Sequence, residues 1–129
     1  MNESRSRVFP ALAVLLGVVM IGGGAAKLMG QPGQVAAFIG WGLPSWFRAL
    51  VGTFEVIGGI LLLAPSGRPA GSLILGTIMV GALWAHAANA EWPSLIPAAL
   101  LLTAFLAIFH RSRGRAIQLL SRISSTARS

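Results

Sequence analysis

Four long apolar stretches alternate with short polar segments along the chain. They cover residues 8–26, 49–65, 70–90 and 93–109. A bilayer core about 30 Å thick is crossed by about 20 mostly apolar residues in helical conformation. The first and third stretches meet this length, whereas the second contains Glu55 and the fourth is short. The pattern predicts an all-α fold, an integral membrane four-helix bundle.

The composition excludes soluble and disordered proteins. Of the 129 residues, 55% are hydrophobic and 10% are charged, and the mean hydropathy is +0.77. Soluble domains carry charge on about a quarter of their residues, and disordered chains have low hydrophobicity. The length therefore predicts one membrane domain, residues 1–110, followed by a polar tail, residues 111–129.

The basic residues predict the orientation of the helices. Short loops rich in Lys and Arg stay in the cytoplasm. With four spans, one side of the membrane holds Lys27 and Arg48. The other side holds Arg5, Arg7, Arg68, Arg111, Arg113, Arg115, Arg122 and Arg128. Both termini are therefore expected in the cytoplasm, and the chain is expected in a bacterial-type cytoplasmic (inner) membrane as a multi-pass protein.

The tryptophans support the same orientation, because these side chains prefer the membrane interface. Trp41, Trp46, Trp84 and Trp92 all fall at or near the outer side. Segment 30–46 is too short and glycine-rich to cross, so we expect it in the outer headgroup region or folded over the bundle mouth. The N-terminal stretch also resembles a secretory signal. Its cleavage would leave three spans, and we favour an uncleaved first helix.

The tail has the pattern of a basic amphipathic helix. On one side lie Arg111, Arg115, Gln118 and Arg122, and on the other lie Ala116, Leu119, Leu120 and Ile123. Such a helix binds anionic lipid headgroups of the inner leaflet, with about 1 kcal/mol for each cation. Nucleic acid is not an expected partner, because no aromatic residues alternate with the arginines.

Three ionisable residues from three helices are expected at one level in the outer half of the membrane. An ionisable side chain in a span costs about 2.5 to 3.5 kcal/mol, so its presence needs a reason. Glycines about one turn before and after Glu55 share its helix face, which predicts that Glu55 points into the bundle. With one amide added, the candidate cluster is Lys27, Glu55, His86 and Asn89.

Two interpretations of this cluster stay open. In the first, Lys27 and Glu55 form a buried ion pair that holds helices together, with His86 hydrogen-bonded to it. In the second, the cluster is a polar pocket that binds a small headgroup or passes protons. Small residues also predict helix packing, with Thr77, Gly81 and Ala85 as a stripe on the third helix. Glycine faces leave homo-oligomerisation open as well.

The chain lacks the residues of a self-sufficient redox enzyme. It has no cysteine, and its two histidines, His86 and His110, are expected on opposite sides of the membrane, where they could not share a haem. One histidine and one carboxylate are too few for a metal site. No metal and no covalent cofactor are therefore expected. If the polar pocket in the outer half of the bundle holds a cofactor, a quinone is the possible one.

Four sequence segments carry a family resemblance. They are GGGAAKL at 22–28, WGLP at 41–44, VGTFEVIGGILLL at 51–63 and MVGALWAH at 79–86. Together they resemble the DoxX-like family of small four-helix membrane proteins, over almost all of residues 8–110. The ordered set Lys27, Glu55 and His86 is the most specific part of the similarity.

The resemblance implies a role beside other proteins. Some family members are membrane subunits of thiosulfate:quinone oxidoreductase, and others belong to oxidoreductase assemblies that respond to oxidative or thiol stress. A distant eukaryotic branch assists the assembly of nicotinic receptors. The first hypothesis is therefore a membrane anchor subunit of an oxidoreductase, with a redox partner protein and a quinone or small-molecule pocket. The alternative is a non-enzymatic scaffold or assembly factor for a membrane client. A transporter is disfavoured, because the chain shows no internal repeat.

The predicted topology can be tested with reporter fusions. Fusions after Pro65 and after Arg115 should report a cytoplasmic position, and a fusion after Pro32 should report the opposite side. The physical reason is the segregation of the basic residues. An external signal at Arg115 would contradict the four-span arrangement.

Overall fold

The computed structural model describes residues 3–128, with side chains for all of these except residues 3–6, 115, 116 and 119. The described residues form five α-helices and no strand. The helices are α1 (Glu3–Leu28), α2 (Pro32–Gly40), α3 (Ser45–Leu63), α4 (Arg68–Ala88) and α5 (Leu95–Arg128). Short 3-10 turns at Pro65–Gly67 and Trp92–Ser94 lead into α4 and α5. Ser129, the last residue of the predicted tail, lies outside the described residues.

Four helical stretches are long and apolar enough to cross a membrane. They are Arg7–Leu28, Ser45–Leu63, Pro65–Ala88 and Trp92–Gly114. This confirms the predicted all-α fold with four membrane-crossing helices. The boundaries shift by a few residues, and prolines explain the shift at both ends of α3. Pro44 has an extended backbone and is the N-cap of this helix, and Ala64, extended before Pro65, ends it.

Segment 30–46, expected as an interfacial loop, contains the short helix α2. Pro32 occupies its first turn, where the missing backbone N–H costs nothing. Gly30 and Gly42 flank the helix with φ of +70° and +74°, a conformation that glycine adopts without strain. Phe38 is buried on the inner side of α2. The segment therefore folds over the end of the bundle where α1 and α4 finish.

The closest helix packing is between α1 and α3. A Cβ added to Gly24 would lie 2.6 Å from the Gly52 carbonyl oxygen, and one added to Gly59 would lie 2.6 Å from the Gly17 carbonyl oxygen. Only glycine permits backbones to approach this closely, as at other helix interfaces in membranes. The glycine face expected around Glu55 is therefore the face that packs against α1.

A second glycine contact joins α3 to α4, near the opposite end of the bundle. A Cβ added to Gly71 would lie 2.7 Å from the Gly58 carbonyl oxygen. Beside this contact the four spans converge on a core that contains Ala13, Leu62, Leu75, Phe105 and Ile108. We call this the tail end of the bundle, and we call the end with Lys27, Trp41 and His86 the cavity end.

Basic side chains cover the core at the tail end. Arg68 is buried and donates from Nε to the Leu62 carbonyl oxygen at 3.0 Å. The guanidinium of Arg111 lies over the Phe9 ring at 4.7 Å from its centroid. These contacts connect the start of α4 to the end of α3, and the middle of α5 to the start of α1.

The predicted stripe of Thr77, Gly81 and Ala85 is wrong as a packing surface. Thr77 and Gly81 are exposed, and a Cβ added to Gly81 would meet no atom within 4 Å. Of the three, Ala85 is buried. The glycine that brings α4 close to α3 is Gly71 instead, because it faces Gly58 directly.

The last span and the tail also differ from the prediction, because they form one helix. The span expected at 93–109 and the tail expected as a separate amphipathic helix at 111–129 are joined in α5. No proline lies at the junction, and Ser112 Oγ donates to the Ile108 carbonyl within the same helix. Ile117, Leu120 and Ile123 remain exposed along this extension.

Two glycines on α1 allow a matched test of the α1–α3 packing. The substitution Gly24→Ala should destabilise the protein by about 1–3 kcal/mol, because the new methyl group overlaps the α3 backbone. The substitution Gly22→Ala should be neutral or slightly stabilising, since its Cβ meets no atom within 4 Å. Thermal unfolding in lipid nanodiscs measures both variants. Equal melting temperatures would contradict the packing.

Candidate functional site

A cavity of about 1030 Å³ separates α3 from α4 and α5 at the cavity end. It forms because α3 and α4 meet closely at the tail end and diverge beyond that contact. Along α4 the lining extends from His86 to Leu73, which corresponds to a depth of about 20 Å at about 1.5 Å per residue. Residues of α2, including Ala37 and Phe38, cover the cavity at its end.

Most of the cavity wall is apolar, and part of it is exposed at the side of the bundle. Leu50 and Phe54 on α3, and Leu73 and Trp84 on α4, both line the cavity and remain exposed. Trp84 has the largest exposure of these, 71%. In a multi-pass membrane protein this side surface faces the lipid. The cavity can therefore be reached between α3 and α4 from the bilayer.

One ion pair lies at the boundary between α1 and α3. Lys27 Nζ is 3.1 Å from both carboxylate oxygens of Glu55. Glu55 is 3% exposed, so its charge is removed from water and depends on this ammonium group. Arg48 donates from Nε to the Lys27 carbonyl oxygen at 3.1 Å and so satisfies the end of α1. The close packing of the two helices places both charges next to the cavity.

A second polar group connects α2 to the turn between α4 and α5. The indole Nε1 of Trp41 donates to Glu91 Oε1 at 2.6 Å. His86 Nδ1 lies 3.3 Å from the same oxygen. The rings of Trp41 and His86 are T-shaped, with centroids 5.3 Å apart. These three residues, which we call the Glu91 triad, tie the covering segment to α4.

The Glu91 triad holds the carboxylate in its ionised form. The hydrogen bond from Trp41 lowers the pKa of Glu91 below its usual value, and the bond with His86 lowers this pKa further. Glu91 lies between the third and fourth spans, outside the membrane-crossing segments. A lowered pKa stabilises the fold above the ordinary pKa of the carboxyl group. This contribution is lost as the pH falls through the lowered pKa.

The structure divides the four predicted site residues among three places. Lys27 and Glu55 contact each other, and His86 contacts Glu91 instead of Glu55, although all of them line the cavity. Asn89 does not line this cavity. Its side chain donates to the Ala85 carbonyl oxygen at 2.8 Å, at the end of α4.

Sequence reasoning missed Trp41 and Glu91 as partners of His86. Glu91 could have been noticed in the sequence, because acidic residues are rare in this chain, which has only three. It follows His86 by five residues, and Ala90 between them has φ of 55°. This left-handed turn brings the chain back, and the Glu91 N–H donates to the His86 carbonyl oxygen at 2.8 Å. A turn of this kind at alanine is not readable from the sequence.

The cavity combines an apolar wall with polar groups toward one end. An apolar chain fits the wall that α3 and α4 share, and a polar head fits the end that carries Lys27 and His86. The described residues contain no group of three or more His, Cys, Asp or Glu side chains that could hold a metal ion. The ammonium group of Lys27 and the imidazole group of His86 offer hydrogen bonds to a molecule in the cavity.

The contribution of the Lys27–Glu55 pair can be measured by removing one charge or both. The substitution Lys27→Met should cost about 3–5 kcal/mol of unfolding free energy, because it leaves the buried Glu55 without a counter-charge. The double variant with Glu55→Met should recover much of this loss. The control Arg113→Met removes an exposed cation and should change the unfolding free energy very little. Chemical unfolding in detergent compares them, and a double variant as unstable as Lys27→Met would contradict the pairing.

Comparison with known proteins agrees with the fold. The model of the DoxX-like family matches residues 11–109, which include the second and third membrane-crossing helices, most of the first and the last, and both polar groups of the cavity. No curated protein and no solved structure gives a significant match. The match extends over more than half of the chain and confirms the resemblance found in its segments. The chain belongs to the DoxX-like family.

Proposed function

We propose that this DoxX-like protein is a membrane subunit of an oxidoreductase assembly and that its cavity holds a quinone. One observation carries the proposal. A large apolar cavity can be reached from the side of the bundle, and its charged side chains and its imidazole group lie toward one end, with the hydroxyl of Thr77 deeper along α4. A ligand with an apolar tail and a polar ring needs this distribution of groups.

The residues of the cavity fit such a ligand. Lys27 keeps N–H groups beyond those that face Glu55, since an ammonium has three donors. His86 uses Nδ1 for Glu91, which leaves Nε2 for a ligand. Aromatic and aliphatic side chains such as Phe54 and Leu73 would hold the tail. When bound, a quinone would supply two-electron chemistry coupled to two protons.

Electrons would come from a partner protein. The chain has no cysteine, and the described residues contain no cluster of metal-ligand side chains. This chain's own part is to bind the quinone, to orient its ring against Lys27 and His86, and to keep it in the bilayer. The chain is then an anchor and a binding subunit, and the redox groups belong to the partner.

The orientation of the chain is part of the proposal. The cavity end would face outward, with both termini in the cytoplasm of a bacterial-type inner membrane, because basic residues concentrate at the other end. The tail would contact anionic lipid headgroups through exposed residues such as Arg122 and Arg128.

One observation favours a scaffold or assembly factor as the second candidate. Lys27 and Glu55 satisfy each other, and two buried charges that match in this way can serve helix packing alone. In this alternative the protein holds a membrane client, and homo-oligomers form through exposed small residues such as Gly22. The cavity would then bind no quinone with measurable specificity.

Quinone binding can be tested by tryptophan fluorescence. Trp41 and Trp84 line the cavity, whereas Trp46 and Trp92 do not. A protein with Trp46→Phe and Trp92→Phe, in lipid nanodiscs, keeps only the two tryptophans that line the cavity, of which Trp84 also faces the lipid. A short-chain quinone should quench this fluorescence along a saturating curve, because each protein has one cavity to fill. Quinone that is only dissolved in the lipid should quench in proportion to its concentration.

A matched pair of variants separates this site from quinone dissolved in the lipid. The substitution Gly81→Leu fills space at the cavity wall and should weaken binding about tenfold or more, equal to about 1.4 kcal/mol. The substitution Gly22→Leu adds the same side chain on α1, where its Cβ also meets no atom, and should leave binding unchanged. Quenching without saturation, or equal binding by both variants, would favour the scaffold.

A further inference from the structure

The two ring nitrogens of His86 have different surroundings. Nδ1 lies 3.3 Å from Glu91 Oε1. Nε2 has no hydrogen-bond partner among the described residues. No buried side-chain nitrogen or oxygen in the described chain lacks a partner, so Nε2 is accessible and not sealed in the protein. Because His86 lines the cavity, Nε2 is the nitrogen that a cavity ligand can reach.

Glu91 determines which nitrogen of His86 carries the proton. An ionised carboxylate has only acceptor oxygens. The indole N–H of Trp41 already donates to Oε1 at 2.6 Å, and it keeps this carboxyl group ionised. His86 Nδ1 must then donate to the same oxygen. In a neutral imidazole one nitrogen is a donor and the other an acceptor, so Nε2 becomes an acceptor.

The position of the ring is fixed from three directions. The backbone N–H of Glu91 donates to the His86 carbonyl oxygen at 2.8 Å, which sets the carboxylate beside the end of α4. The rings of Trp41 and His86 pack edge to face, and Phe38 packs against Trp41 at 5.1 Å between centroids. A ring held in this way cannot easily turn over to exchange its two nitrogens.

We propose that the cavity binds its ligand in a form that donates a hydrogen bond to His86 Nε2. This inference rests on the proposed function, and it names the ligand class as a quinol or another amphiphile with a phenolic hydroxyl group. An oxidised quinone has only carbonyl acceptors for this nitrogen. The ammonium group of Lys27, which also lines the cavity, can donate to a quinone carbonyl or to a quinol hydroxyl oxygen, so the selection falls to His86. Glu91 is a positioning residue that acts through His86.

The tautomer of His86 can be measured without any ligand. The chain has two histidines, so the variant His110→Gln leaves His86 as the only one. Nitrogen NMR of this ¹⁵N-histidine-labelled protein in nanodiscs distinguishes a proton on Nδ1 from a proton on Nε2. We expect the Nδ1–H form at neutral pH. A neutral ring with its proton on Nε2 would overturn the proposal.

Ligand selection is tested with a short-chain quinol, its dimethyl ether and the corresponding quinone. The ether loses both donors and gains two methyl groups, and the comparison in the variant His86→Leu accounts for this added size. The quinol should bind at least about tenfold more tightly than the ether, as expected for one hydrogen bond in a dry site. The variant His86→Leu should bind the quinol and the ether equally. Equal binding of the two by the unmodified protein would overturn the proposal.

The variant Glu91→Ala separates positioning from a merely structural role. It removes the oxygen that accepts from both Trp41 Nε1 and His86 Nδ1, so the proton is no longer held on Nδ1 and Nε2 can carry it. The preference for quinol over quinone should then fall, and the NMR spectrum should show the Nε2–H form. If both affinities fell together with no change of tautomer, Glu91 would be structural and the proposal would be overturned.

The two levels of the proposal fail in different ways. If neither quinol nor quinone binds while His86 shows the Nδ1–H form, the proposed quinone function fails and the assignment of Nε2 as an acceptor stands. If quinone binds with saturation and the quinol does not, the proposed function stands and the selection by His86 is wrong.

Discussion

The close approach of the α1 and α3 backbones is the constraint on which the rest of the structure depends. Glycines at both ends of this contact allow carbonyl oxygens of one helix to lie where a Cβ of the other would be, as at Gly24 and Gly52. The carboxylate of Glu55 lies beside α1 near Gly23, and the next turn of α1 carries Lys27. The ion pair is therefore a product of the packing, and it in turn offsets part of the cost of a buried carboxylate.

The cavity arises because the other helix pairs are not packed in the same way. The glycine contact of α3 with α4 is confined to Gly58 and Gly71, near the tail end. Above it, α4 presents side chains such as Thr77 and Trp84 to the cavity or the side of the bundle. A bundle that is tight on one side and open on the other gives both a rigid support for charges and room for a ligand. The segment with α2 then needs a separate attachment, which Trp41 and Glu91 supply.

The sequence predicts the parts of this architecture that depend on local composition. The four apolar stretches were sufficient for the spans, because a bilayer requires uninterrupted hydrophobic length. The glycines around Glu55 pointed correctly to its buried face. Side-chain contacts that depend on the tertiary fold could not be predicted from the sequence. Trp41 and Glu91 are far apart in the chain and meet only when α2 folds back, and Gly81 has the same spacing as a packing glycine but lies on a wall that no helix covers.

The unbroken helix α5 has a geometric consequence for the membrane surface. Its 34 residues form a rod about 51 Å long at about 1.5 Å per residue, which exceeds a bilayer of about 40–45 Å with its headgroups. A straight rod of this length that begins at the cavity end must carry its last turns out of the membrane on the other side. For those turns to lie flat on the lipid, the rod must hinge, and Gly114 is the one glycine in it. Whether the arginines beyond that point touch lipid is thus decided by the stiffness of a few residues around Gly114.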